Sequence, residues 1–183
     1  IHYVAPTVWA WRPKRAKYIS NYYDLLLTII PFEEKYFEKY GLKTVFVGNQ
    51  ICNNLNDIFK SYNKDHIAFL PGSRIGEVKS LLPYFKIMNE HIHKNYKEYK
   101  IFIPTLPHLI NDINGIIKTW KYKPILIDNK SEINKFYQKC KFSIVCSGTA
   151  ALELSSKKIP IIVIYKLNIF TEIIFSFLVN VKF

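Results

Sequence analysis

Between residues 67 and 164 the chain alternates short, unbroken apolar runs with stretches of helical period, and this alternation restricts the fold more than any other feature. The apolar runs are Ile67–Leu70, Ile101–Ile103, Ile125–Ile127, Phe142–Val145 and Ile159–Ile164, and the helical stretches are Gly76–Asn95, one within Leu106–Trp120, Ser131–Lys139 and Gly148–Ser156. A strand without polar alternation must be covered on both faces, and strand, helix, strand in succession returns each strand parallel to the last. The pattern predicts an α/β fold, a Rossmann-like parallel sheet with helices on both faces. A further helix is expected over Ile169–Val179. The apolar run from Ile159 to Phe183 is not read as a membrane span, because Lys166, Asn168 and Glu172 interrupt it and Pro160 lies near its start.

The first part of the chain repeats the alternation on a smaller scale. Ile1–Val4 reads as a strand, Pro6 and Pro13 stop regular structure before a short basic helix, and Asp24–Ile30 is a second strand. Pro31-Phe32-Glu33-Glu34 opens a helix that Gly41 closes, and Thr44–Val47 is a third strand. Gly48 to Asn63 is polar and rich in Asn, as a linker would be. Two domains are therefore expected, the end of a preceding α/β domain over 1–57 and a Rossmann-like domain over 58–183. The abrupt apolar start and the unadorned end at Val181-Lys182-Phe183 read as a piece of something longer.

Ligands of parallel sheets bind beyond the carboxyl ends of the strands, where two loops of one type open. In Leu70-Pro71-Gly72-Ser73-Arg74, Gly72 and Ser73 can offer backbone amides and Arg74 a forked cation for two phosphate oxygens. Glu77, one turn on, suits either the helix dipole or the ligand. In Cys146-Ser147-Gly148-Thr149-Ala150-Ala151-Leu152-Glu153, Ser147 can cap, Gly148 allows close approach, and Thr149 and Glu153 share a helix face suited to phosphate and ribose hydroxyls. The same octapeptide also suits a plain capped helix packing its alanines on a sheet; the recurrence of the loop type at Gly72 favours a ligand. Neither loop carries the Gly-Lys-Ser/Thr of a P-loop, and no G-x-G-x-x-G occurs, so a sugar nucleotide fits better than a hydrolysed nucleotide or a dinucleotide.

The 49% hydrophobic residues are enough for a sizeable core, and a net charge of +12 with 16% aromatics suits phosphates, nucleic acid or an anionic membrane. The lysines are spread along the chain rather than gathered between exposed aromatics, which argues against nucleic acid. Cys52, Cys140 and Cys146 are too few and too irregular for a disulfide framework or zinc site, so the default setting is reducing and cytoplasmic. His91 and His93 are two apart on a helix, and no metal site is expected. Trp9 and Trp11 read as core, as a stacking platform for single-stranded nucleic acid, or as a wall of an acceptor site.

Three stretches carry a resemblance: His2-Tyr3-Val4-Ala5-Pro6-Thr7-Val8-Trp9-Ala10-Trp11-Arg12, then Leu70 to Arg74 with Glu77-Val78, then Ser147 to Glu153. Together they resemble lipid-A-disaccharide synthases. The resemblance implies a GT-B-like glycosyltransferase joining a UDP-activated diacylglucosamine to a diacylglucosamine 1-phosphate, without metal or redox cofactor. It also implies that Gly72, Ser73 and Arg74 hold the pyrophosphate and that Ser147, Gly148, Thr149 and Glu153 hold phosphate and ribose. Arg74 would be the catalytic cation for the departing diphosphate, and the general base is expected from the first domain, outside this sequence. Asn49 stands where the family usually shows His, and Ala5 and Thr7 where Ser is common. Partners would be the UDP-sugar donor, the acylated acceptor and, peripherally, the inner face of the cytoplasmic membrane. The alternatives are a non-catalytic fragment retaining UDP binding and a protein like the UDP-sugar epimerases.

Overall fold

The computed structural model describes residues 1–53, 64–146 and 148–166. These fall into two compact units, Ile1–Asn53 and 64–166, each built on its own parallel sheet. The expected boundary between residues 57 and 58, and the helix expected over Ile169–Val179, lie outside the described residues.

In the first unit, β1 (His2–Tyr3), β2 (Leu25–Thr28) and β3 (Lys43–Phe46) pair in parallel in that order. Helix α1 (Arg15–Ser20) joins the first two and α2 (Glu34–Glu38) the next. The core is Ala5, Val8, Ala16, Ile19, Leu26, Phe37 and Leu42. The second strand is shorter than the apolar run that predicts it, because apolarity marks burial and not the ladder itself. The polar stretch expected as linker begins with a short helix α3 (Gln50–Asn53), whose first turn is closed by Asn49: its Oδ1 accepts from the Ile51 amide at 3.0 Å. A side-chain cap overrides the turn reading there.

The second unit matches the predicted alternation element by element. Strands β4 (His66–Leu70), β5 (Lys100–Pro104), β6 (Ile125–Ile127), β7 (Cys140–Cys146) and β8 (Ile161–Ile164) form one parallel sheet in the order β6-β5-β4-β7-β8. Helices α4 (Ile75–Asn95), α5 (Ile110–Ile117, after a 3-10 turn at Pro107–Leu109), α6 (Lys130–Gln138) and α7 (Thr149–Ser156) connect them. Successive strand residues point to opposite faces. Ile67 and Phe69 of β4, with Ile101, Ile103 and Ile144, pack under Val78, Leu82 and Phe85 of α4 and Ile113 and Ile117 of α5. Ala68, Phe102 and Val145 pack on the other side against Tyr137 of α6 and Leu154 of α7. Phe69, Phe85 and Phe102 are fully buried.

Counted within the unit, the strand order is 3-2-1-4-5: the chain moves outward from β4 through β5 to β6, then returns past β4 to lay down β7. This is the doubly wound, Rossmann-like arrangement, and it leaves a crevice between the carboxyl ends of β4 and β7.

Candidate functional site

That crevice holds a cleft of about 740 Å³, a size suited to a small-molecule ligand. From the loop after β4 it is lined by Gly72, Ser73, Arg74 and Glu77, and from the turn after β7 by Gly148, Thr149, Ala150 and Glu153. Seven of the eight residues singled out in the sequence therefore line one cleft. The eighth, Ser147, lies outside the described residues.

Local conformation explains the residue types. Gly72 has φ +120°, a region that a side chain strains, and a Cβ built there would lie 2.7 Å from Glu77 Oε2 and 3.0 Å from Glu77 Cβ. The missing side chain thus admits the Glu77 carboxylate beneath the loop. Arg74 Nη1 donates to Glu77 Oε1 at 2.8 Å, and its side chain is 81% exposed, held by one partner and otherwise open to a ligand. Glu77 lies in the first turn of α4 and lines the cleft, as both roles read for it require, and the structure adds a third: it anchors Arg74.

Arg74 is also the N-cap of α4, extended at φ −112°, and Gly148 is the N-cap of α7; neither makes a side-chain cap hydrogen bond. Helix α6 differs, since Asn129 Oδ1 accepts from its Glu132 amide at 3.1 Å. Helix N-termini carry free first-turn amides and the positive end of a dipole, an arrangement that favours an anionic ligand, and two of them begin at this switch point.

Sequence reading missed the far wall. Thr105, Leu106 and Pro107 after β5, and Asp128, Lys130, Ile133, Asn134 and Tyr137 after β6, complete the lining, with Cys146 at the end of β7. Their one signal was position just beyond a strand; which strands adjoin β4 was not in the pattern. Burial, and after it the nearby charge of Glu153, pushes the Tyr137 phenol up, so it stays protonated. Cys140, at the amino end of β7 and away from the cleft, is pushed up to about 12 by burial.

In the first unit Trp9 is partly buried and meets Phe32 edge-on, with ring centroids 5.3 Å apart, and Trp11 lies under the Arg12 guanidinium. His93 stacks on Tyr122.

A family model described as lipid-A-disaccharide synthetase matches residues 1–183. The chain belongs to this family. The lipid-A-disaccharide synthase of Rhodospirillum centenum is 31% identical over 193 residues, covering 100% of this chain and 48% of the relative. Those of Acinetobacter baylyi and Aquifex aeolicus are each 32% identical, again over 100% of this chain and 51% of the relative. The chain spans about half the length of the curated relatives it matches. Among lipid-A-disaccharide synthetases it carries a two-unit α/β portion, and the second unit holds the cleft.

Proposed function

We propose that the chain supplies the donor-binding domain, over 58–183, and the end of the acceptor-side domain, over 1–57, of a GT-B-like lipid-A-disaccharide synthase. The reaction is transfer of a hexosyl group from UDP-2,3-diacylglucosamine to 2,3-diacylglucosamine 1-phosphate, giving lipid A disaccharide 1-phosphate and UDP. The observation that carries this reading is the convergence of the N-termini of α4 and α7 and of Arg74 on one switch-point cleft, in a chain of this family.

The acceptor hydroxyl oxygen forms a bond to the donor's anomeric carbon as the bond to the diphosphate oxygen breaks. The electron pair leaves with UDP, and the hydroxyl proton passes to a general base. Charge therefore grows on the diphosphate. Gly72, Ser73 and Arg74 hold and stabilise it from one side; Ser147, Gly148 and Thr149 do so from the other, with Glu153 on the ribose hydroxyls. Glu77 keeps Arg74 aimed.

Both substrates are acylated, and the protein meets them at an anionic membrane surface, peripherally, at the inner face of the cytoplasmic membrane. No helix of the described residues is long and apolar enough to cross a membrane. Support for surface contact comes from α1 and the residues around it: Lys14, Arg15, Tyr18 and Tyr22 are exposed while Ala16 and Ile19 are buried, and Tyr18 and Tyr22 are 63% and 64% exposed. Residues 11–23 hold four cations and no acid, and tyrosine with lysine is the composition of a bilayer interface.

Calorimetric titration with UDP tests the donor site. The folded chain should bind UDP, and Arg74→Ala should weaken it by about 1.5–3 kcal/mol, the worth of a hydrogen bond to a charged group, about ten- to hundred-fold in Kd. An unchanged Kd would remove Arg74 from the phosphate site.

A further inference from the structure

One hydroxyl in the cleft has no use within the fold. Thr105 follows β5 directly, its amide donating to the Ile127 carbonyl at 2.8 Å, and the residue is 9% exposed. Its Oγ1 is buried without a hydrogen-bond partner, although the residue lines the cleft. Of the four described side chains with such an atom, Thr105 alone lines the cleft. An unpaired buried hydroxyl costs about 1–3 kcal/mol, and valine would fill the same shape without that cost. A ligand that supplies the missing partner accounts for the threonine.

The placement indicates which part of the ligand. This step rests on the donor reading above, with the diphosphate between the ends of β4 and β7 and the ribose at Glu153. The lining continues past β4 to the ends of β5 and β6, and no residue of β8 takes part. Adjacent strands are about 4.8 Å apart, so those two ends lie one and two strand spacings beyond the phosphates, the reach of a nucleoside. Leu106, Pro107 and Ile133 offer apolar surface there for the faces of a ring, and the Thr105 hydroxyl can donate or accept at its edge.

We propose that Thr105 Oγ1 hydrogen-bonds the polar edge of the donor's heterocycle and fixes the nucleoside on the β5 side of the cleft. A titration ladder of UDP, ribose 5-phosphate and inorganic pyrophosphate tests this, applied to the wild-type chain, Thr105→Val and Thr105→Ser. Thr105→Val should weaken UDP about two- to twelve-fold, the loss of one neutral hydrogen bond, while ribose 5-phosphate and pyrophosphate bind as before. Thr105→Ser should restore UDP binding. The thermal midpoint of Thr105→Val should equal or exceed that of the wild type, since an unpaired group is removed. Unchanged UDP affinity in Thr105→Val overturns the assignment, as does equal weakening of all three probes or a lowered midpoint, which would make the hydroxyl structural. If the folded wild-type chain binds pyrophosphate but not UDP, the donor reading falls with it; UDP binding indifferent to the substitution overturns only the role of Thr105.

Discussion

Gly72 and Glu77 act as one device: the glycine leaves the space that the carboxylate fills, and the carboxylate holds Arg74. Gly72→Ala places a methyl 2.7 Å from Glu77 Oε2 in a backbone region that L side chains rarely adopt. It should destabilise the second unit by about 1–3 kcal/mol and weaken UDP as Arg74→Ala does, read by urea unfolding and titration; normal UDP affinity would separate Glu77 from the site. In the first unit Glu33 is 1% exposed and accepts from the Ile30 amide at 3.2 Å. Burial, outweighing that hydrogen bond and the nearby Trp9 indole, holds its carboxyl above the ordinary 4.5. The fold thus favours the neutral acid. Its contribution to stability is full below the ordinary value and is lost as pH rises through the raised one. Glu33→Gln keeps the acceptor without the titration, so its stability relative to wild type should improve as pH rises above the ordinary 4.5 through the raised value. Parallel urea midpoints across that range would contradict it.

At the scale of elements, the helices divide by how they begin. Helix α6 satisfies its first turn internally through Asn129, whereas α4 and α7, like α1, α2 and α5, make no side-chain cap hydrogen bond at their N-cap residues; what sets α4 and α7 apart is that both begin at the cleft. Asn129→Ala should cost about 1 kcal/mol of stability, measured as a shifted urea midpoint with unchanged slope. Thr149→Ala, in the first turn of α7, should cost less than about 0.5 kcal/mol. A costly Thr149→Ala would show that α7 depends on a cap. Helix α4 runs through Pro83 without stopping; Pro83 and Lys79, four residues back, whose carbonyl loses its amide partner, are both on the exposed side of the helix.

At the scale of the whole molecule, most of the charge of +12 is spread along the chain, and α1 with its approach is a local exception. Helix α2 alternates acids and bases, as a solvated face does, while α1 and its approach carry Arg12, Lys14, Arg15 and Lys17 with no acid among them. Each such cation adds about 1 kcal/mol of attraction to an anionic bilayer. The chain should cosediment with vesicles containing anionic lipid, release as salt rises, and bind less when Lys14 and Arg15 are changed to Gln or Tyr18 to Ser. Equal binding to neutral vesicles, or indifference to salt, would remove α1 from any membrane contact.

The sequence by itself determined the alternation of the second unit, every strand of its sheet within a few residues, and the two loops whose residues line the cleft. Those features are local: an apolar run with no polar alternation, and a glycine before a helix, carry their meaning within a few positions. It placed Gly72, Ser73, Arg74, Gly148 and Thr149 just beyond strand ends, with Glu153 one turn into the helix that follows, because parallel strands share one carboxyl edge. Only the tertiary structure decided that β7 returns to lie beside β4, which brings residues some 75 positions apart onto one cleft. It alone showed Glu77 beneath Gly72, Asn49 closing a helix, and Thr105 with an unpaired hydroxyl in the cleft. Strand order, burial and orphaned groups are products of packing between distant segments, and no local pattern of residues encodes them.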